Sequence, residues 1–137
     1  MSKVYVLDAC ALIALLKNEE GADVVAAVYK QAESSEATLI MNRVNLLEVY
    51  YGFYHSDGKE YADKIMDGIA KSIVAISEFD NDIFLIAGRL KASYSISLAD
   101  SIVLAQTIVI EGELLTSDHR EFDPLEGIEP IDFLWIR

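Results

Sequence analysis

The stretch Lys3–Asp8 (KVYVLD) decides the fold of this chain. Its β-branched and apolar residues predict one short buried strand that stops at the carboxylate of Asp8. Residues 9–16 follow at once and are apolar helix formers with Cys10 among them, so a strand leads directly into a helix. This order is typical of the first βα unit of an α/β sheet, where ligands bind at the carboxyl ends of the strands. Asp8 lies at that end, although taken alone an N-cap is its simpler role.

The composition predicts one acidic domain. The 137 residues suit a single domain, residues 1–137, with a proper core, and 53% of them are hydrophobic. The lone cysteine, Cys10, excludes an internal disulfide and a cysteine-based zinc site. The N-terminal apolar run is too short for a bilayer and lacks a signal-peptide pattern, so we expect a cytoplasmic protein with no membrane partner. A net charge of −12 opposes broad phosphate neutralisation and suits a metal site or a basic partner better.

Strands and helices alternate along the rest of the chain. Short apolar runs predict further strands at residues 38–41, 72–77 and 113–117, and residues 128–136 read as extended. Helices are expected between them, over residues 21–33, from Asn42 or Asn45 to about 55, to about 71, from the cap Asp80 to about 90, and from the cap Ser97 to 110. The pair Asp123–Pro124 is interpreted as a helix N-cap with no chemical role. This alternation favours a mostly parallel sheet covered on both faces.

The predicted third helix is unusual because apolar or aromatic side chains occupy nearly every side of it. Such a helix should be covered on more than one face. Glu48 falls between Val44 and Tyr51 on one stripe, and a glutamate among core-type neighbours is costly unless it is paired or binds a metal. The aromatic group of this helix exceeds what one core face requires, so we expect part of it at a homodimer interface, with an all-core alternative left open; it comprises Tyr50, Tyr51, Phe53 and Tyr54.

Four acids recur at comparable places in these elements. Asp8 and Asp118 each follow a predicted strand, whereas Glu48 and Asp100 lie at or near the start of largely apolar helices. Taken alone, each acid also has a purely structural explanation; Asp100, for example, completes an S-x-x-D capping pattern. Four acids converging at one end of a sheet would repel each other without a cation, and all-oxygen sites suit Mg²⁺ or Mn²⁺ rather than zinc. Such a site can polarise a phosphate and activate water, and two metal ions often share the task.

Four ordered segments carry a resemblance to a known family. They are residues 6–12, 45–49, 97–102 and 114–118, followed by Phe122. With them the chain resembles the PIN-domain ribonucleases, and among these the VapC-type toxins of toxin–antitoxin pairs, over essentially its whole length. The resemblance implies a three-layer α/β/α sandwich around a mostly parallel sheet, Mg²⁺-dependent endonuclease cleavage of RNA, and an antitoxin that blocks the acidic site. Carried over by position, the metal-binding and catalytic acids would be Asp8, Glu48, Asp100 and Asp118.

Some positions near the first acid differ from the family pattern. A hydroxyl residue often follows the first Asp in the family, with Ser or Asn next, whereas Ala9 and Cys10 stand here. The difference puts an auxiliary hydrogen bond near Asp8 in question and leaves the ligand itself in place. The resemblance also makes Thr116 and Ser117 polar neighbours of the site. The two histidines, His55 and His119, are expected on the surface.

Other functions compete with a metal-dependent ribonuclease. A binding protein on the same fold could hold a basic partner, such as an antitoxin segment, without cutting, but the intact set of four acids argues against it. A phosphotransfer enzyme with an aspartyl intermediate would be expected to show D-x-D, and Cys10 stands at the second position after Asp8. A receiver domain would need adjacent acids at the first strand, and this chain has none there. Attraction of RNA would need local cations, for which the candidates are Lys17, Arg43, Arg89, Lys91 and Arg120.

Overall fold

The computed structural model describes residues 3–137 as a parallel sheet between two layers of helices. The strands are β1 (Lys3–Leu7), β2 (Ala37–Asn42), β3 (Ala75–Ser77), β4 (Glu113–Thr116) and β5 (Asp132–Trp135). The helices are α1 (Ala9–Lys17), α2 (Ala22–Glu33), α3 (Arg43–Asp57), α4 (Lys59–Ala70), α5 (Asn81–Ser93), α6 (Leu98–Ile110) and the single turn α7 (His119–Phe122). A short 3-10 turn, Asp123–Leu125, follows α7.

The sheet places the first strand at its centre. The strand order is β3-β2-β1-β4-β5, and every neighbouring pair is parallel. Val6 lies opposite Ile40 of β2 on one side and Leu114 of β4 on the other. Because β1 and β4 are parallel neighbours in this register, the residues that follow them, Asp8 and Asp118, leave the same edge of the sheet.

Successive side chains of a strand point to opposite faces of the sheet, so alternate residues of β1 pack into two separate cores. Tyr5 and Leu7 pack with residues of α1, α2, α3 and α4, whereas Val6 packs with residues of α5 and α6. The three-layer α/β/α prediction is therefore confirmed. Within residues 3–137, no helix is both long enough and apolar enough to cross a membrane.

Helix α3 has a core face and a bare apolar face. Val49 and Phe53 are buried, while Leu47 is 56% exposed and Tyr51 is 58% exposed. Helix α3 packs against α1, α4 and α6, so it is covered on more than one face as expected, and only the face that carries Leu47 and Tyr51 is exposed. Of the aromatic group, Phe53 is core, whereas Tyr54 is 46% exposed.

Two local predictions were wrong. The third strand is only Ala75–Ser77, because the Ser72 hydroxyl donates to the Ile69 carbonyl and accepts from the Val74 amide, which forms a turn. Asp123 does not cap a helix; it begins the 3-10 turn, and its carboxylate lies 2.9 Å from Nδ1 of His119.

The second helix begins one residue later than predicted, at Ala22, with Gly21 as its cap. Gly21 has a φ of 95°, and a Cβ there would lie 2.6 Å from the Ile136 carbonyl oxygen. Only glycine fits this position without strain, because a side chain would meet both an unfavourable φ and the backbone of the C-terminal segment.

Candidate metal centre

Asp8 is buried between the end of β1 and the start of α1. Its Oδ1 accepts a hydrogen bond of 2.7 Å from the Ala11 amide, which makes it the N-cap of α1, and its Oδ2 accepts one of 2.5 Å from the Thr116 hydroxyl. Burial raises the pKa of Asp8 from its ordinary 3.8 to about 7, and the charges of Asp118 and Glu48 add to the rise. The N-cap interpretation is thus correct as well, but the residue is enclosed and lies close to two of the other acids.

Thr116 joins the ends of the two central strands. Its hydroxyl is fully buried; it donates to Asp8 and accepts a hydrogen bond of 3.1 Å from the Asp118 amide. One side chain therefore fixes the first acid and the backbone of another. Thr116 was predicted only as a polar neighbour by resemblance, and this contact gives it a definite role in the geometry.

Asp100, Asp118 and Glu121 form a compact carboxylate group. All three are partly buried, and one carboxylate oxygen from each lies within 4.8 Å of the others. Asp100 lies in the first turn of α6, Asp118 caps α7 by accepting from the Glu121 amide at 3.2 Å, and Glu121 is the third residue of that turn. Burial, together with hydrogen bonds to Glu121 and Asp118, raises the pKa of Asp100 to about 9. The hydrogen bond from Asp100 lowers the pKa of Glu121.

Glu121 is the acid that sequence reasoning missed. The pattern Asp118-x-x-Glu121 resembles a capping box, in which the glutamate would turn back to the amide of its own cap residue. Here the Asp118 amide already donates to Thr116, and both carboxylate oxygens of Glu121 instead accept from the Ser97 amide at 3.2 Å. The spacing was a usable signal for Glu121, but its partner lies 24 residues away and could not be read from the sequence.

Glu48 is half-buried on α3, and its pKa is raised by burial and by the charge of Glu121, against a lowering hydrogen bond from Asn45. The Asn45 amide nitrogen lies 3.4 Å from Glu48 Oε1 and donates to the Ala99 carbonyl at 3.1 Å, which ties α3 to the start of α6. Asn45 is buried, and its Oδ1 is the one enclosed side-chain oxygen or nitrogen without a hydrogen-bond partner in residues 3–137.

The structure therefore brings the four predicted acids to one edge of the sheet in two linked sets. Asp100 and Asp118 share the compact group with Glu121, and Asp8 and Glu48 are electrostatically coupled to its members. The assignment of these acids as metal ligands stays a prediction.

The donor set fits a small, hard cation. It offers only carboxylate oxygens, which are the ligands that Mg²⁺ prefers in proteins. Oxygen ligands about 2.1 Å from Mg²⁺ lie at most roughly 4.2 Å apart, so the group needs only a slight contraction to surround the ion. The raised pKa of Asp100 favours its protonated form, which lowers the repulsion within the group, and a divalent ion would compete with that proton.

The remaining predicted residues lie around this edge. The Cys10 sulfur contacts the Ser117 hydroxyl at 3.2 Å, so the thiol and Ser117 interact with each other. His55 is exposed, as predicted. His119 is also exposed and stacks on Trp135 with ring centroids 3.8 Å apart.

The fold and the site together define a parallel α/β domain with clustered acids at the carboxyl edge of its sheet. The PIN domain profile matches residues 5–127. The chain belongs to the PIN domain family, which confirms the resemblance found in the sequence. No curated protein matches the chain.

Several solved structures share the fold. VapBC2 from Rickettsia felis, solved with a DNA fragment from its promoter, is 19% identical with a TM-score of 0.76, and the match covers 96% of this chain and 98% of that one. VapBC-1 from nontypeable Haemophilus influenzae is 18% identical with a TM-score of 0.73, over 97% and 98% of the two chains. VapC20 from Mycobacterium tuberculosis, a Sarcin-Ricin loop cleaving toxin, is 14% identical with a TM-score of 0.58, over 80% and 86%.

Proposed function

We propose that this protein is a Mg²⁺-dependent endoribonuclease and the toxin of a toxin–antitoxin pair. The observation that carries the proposal is the convergence of acids at the carboxyl edge of the sheet, where three carboxylates lie within 4.8 Å of one another and burial and neighbouring charges raise the pKa of Asp8 to about 7. A group that costs this much electrostatically is expected to serve a cation. Membership of the PIN domain family supports the same conclusion.

The acids proposed to hold the ion are Asp8, Glu48, Asp100 and Asp118. When bound, Mg²⁺ would activate water and stabilise the charge that develops on the phosphate, with Mn²⁺ as a possible substitute. The chain's own part is to hold the carboxylates in place before the ion arrives. Ala11 and Thr116 orient Asp8, and the Glu121 amide orients Asp118. No side-chain nucleophile is needed, because water supplies the attacking oxygen.

This acidic protein offers few basic side chains that could attract the phosphates of RNA. Of the candidate cations, Arg89 pairs with Glu129 at 2.9 Å and Lys91 donates to the Ile96 carbonyl, so both are engaged elsewhere. Arg120 is exposed on α7, and its charge lowers the pKa of Glu121, which places it beside the acidic group. Because the charge of Arg120 acts on an acid of the compact group, we assign the local attraction for the phosphate to the bound cation and to Arg120, without assigning a role to Lys17 or Arg43.

Two protein partners are part of the proposal. An antitoxin with a basic segment would neutralise the acidic edge, and the similar solved structures from Rickettsia felis and Haemophilus influenzae are VapBC assemblies. A second copy of the chain would cover the bare face of α3. Leu47, Tyr51 and Tyr54 recur there at helical spacing and are each more than 40% exposed, which suits an interface.

The test compares the wild-type chain with the variant Asp8→Asn. Each is incubated with total RNA in Mg²⁺, in Mn²⁺, in Zn²⁺ and in EDTA, next to Glu60→Gln as a control, because the Glu60 side chain is 91% exposed. We expect cleavage by the wild type and the control in Mg²⁺ or Mn²⁺, and none by Asp8→Asn or in EDTA. Cleavage that persists in EDTA would contradict the metal-site assignment, and binding of a basic peptide without any cleavage would favour the binding-protein alternative.

The dimer is tested separately by light scattering on the wild type and on Tyr51→Ala. A dimer that dissociates in the variant is the expected result. A monomeric wild type at high concentration would contradict it.

A further inference from the structure

The helix that carries Asp100 is held at its first turn by a residue of another element. Ser97 caps α6, and its hydroxyl accepts a hydrogen bond of 3.1 Å from the Asp100 amide. The amide of Ser97 itself points to Glu121, whose two carboxylate oxygens both lie 3.2 Å from it. The Glu121 carboxylate therefore links the backbone at the start of α6 to α7, beside the side-chain contacts of Asp100 with Glu121 and Asp118.

Glu121 is free to make this contact because its usual partner is occupied. The Asp118 amide donates to Thr116 at 3.1 Å, so Glu121 has no N-cap amide to satisfy within its own turn. Its backbone amide in turn donates to the Asp118 side chain at 3.2 Å. Through its backbone Glu121 fixes Asp118, and through its side chain it fixes the turn that carries Asp100.

We propose that Glu121 is a positioning residue: its carboxylate holds the Ser97 amide and thereby sets the separation of Asp100 from Asp118. The inference deepens the proposed function and rests on it for the activity readout. A positioning role differs from that of a metal ligand in what it requires of the side chain. The Ser97 amide needs an acceptor oxygen at the right reach, whereas an ion needs negative charge.

Two conservative substitutions of Glu121 distinguish the effect of its side-chain length from the effect of its negative charge. Glu121→Gln keeps the length of the side chain and an acceptor oxygen for Ser97, and its amide group can donate to Asp100. Glu121→Asp keeps the charge but is one methylene shorter, which withdraws the carboxylate from Ser97. Glu121→Ala removes both properties, and Glu60→Ala is the matched control on the exposed side of α4.

Three measurements are made on the full chain: the affinity for Mg²⁺ by calorimetry, the exchange rate of the Ser97 amide by NMR, and the rate of RNA cleavage. We expect Glu121→Asp and Glu121→Ala to lose about tenfold or more in Mg²⁺ affinity, as removal of a supporting contact around a metal site commonly does. The Ser97 amide should exchange faster in both variants. Glu121→Gln should recover most of the affinity and the protection of Ser97, and the control should match the wild type.

Either of two results overturns the inference. A Glu121→Gln variant that protects Ser97 yet binds Mg²⁺ as weakly as Glu121→Ala would make Glu121 a ligand. Unchanged Ser97 exchange in Glu121→Asp and Glu121→Ala would show that the contact holds nothing in place. If the wild type binds Mg²⁺ but cuts no RNA, the proposed activity fails, and the order of affinities among the variants still decides the role of Glu121.

Discussion

Asp8 should make the metal-free protein less stable as the pH rises. Burial raises the pKa of Asp8 from 3.8 to about 7 in the folded chain. In the unfolded chain it ionises near its ordinary value, so at intermediate pH the folded state holds a proton that the unfolded state has lost. A raised folded-state pKa in an acid therefore favours folding at low pH, and this advantage disappears between the two values.

The size of the effect follows from the two pKa values. Each pH unit within the window changes the free energy of unfolding by about 1.4 kcal/mol. Between about pH 5 and about pH 8, Asp8 alone should lower the free energy of unfolding by about 2.5 kcal/mol. The raised pKa of Asp100 acts in the same direction, so the comparison must isolate Asp8.

The variant Asp8→Asn isolates it. Asparagine keeps an acceptor for the Ala11 amide and caps helices as well as aspartate does, but it does not titrate. The assay is urea unfolding in EDTA at both pH values, with Glu60→Gln as the control. The wild type should lose about 2.5 kcal/mol more than Asp8→Asn. An equal loss in the two proteins would refute the raised pKa of Asp8.

Three further substitutions are tested by unfolding, Glu48→Gln by thermal unfolding in EDTA and in Mg²⁺, and the other two by urea unfolding. Glu48→Gln should raise the melting temperature in EDTA, because it removes one charge from the coupled acids, and should reduce the stabilisation that Mg²⁺ provides; a lower melting temperature with the full Mg²⁺ gain would place Glu48 outside the cluster. Thr116→Val should lower the free energy of unfolding by about 2 kcal/mol above pH 8, because it removes the donor to the ionised Asp8. A decrease well under about 1 kcal/mol would contradict this contribution. Asn42→Ala should lower the free energy of unfolding by about 3 kcal/mol, because it removes the N-cap of α3 and leaves the buried Gln106 oxygen without its donor. A decrease of only about 1 kcal/mol would show that the cap alone contributes.

Several helix starts were predictable from the sequence because their signals are local, and for α3 the structure selects Asn42 from the two candidates Asn42 and Asn45. Asp80 accepts from the Ile83 amide at 3.0 Å, Ser97 accepts from Asp100 at 3.1 Å, and Asn42 accepts from Val44 at 3.0 Å. Each cap lies within three residues of its partner, so residue type and spacing are sufficient. The confirmed order of strands and helices follows from the same short-range patterns.

The strand order and the support of the acids were not predictable in this way. The order β3-β2-β1-β4-β5 depends on long-range pairing that no local pattern encodes. The contact between Thr116 and Asp8 joins residues 108 positions apart. The resemblance to the family could propose the four acids. It could not show that the buried Thr116 hydroxyl connects two of them, or that the Glu121 side chain turns away from its own helix.

The acids are positioned by hydrogen bonds that exist without a cation. Asp8 is held by Ala11 and Thr116, and Asp118 by the amide of Glu121. The bonds from Thr116 and Ala11 hold the pKa of Asp8 down, but burial, aided by the neighbouring acids, outweighs them and raises the pKa values of Asp8 and Asp100. A divalent ion entering this edge would therefore exchange with protons in an arrangement that already exists, and its affinity should increase with pH as those protons leave more readily.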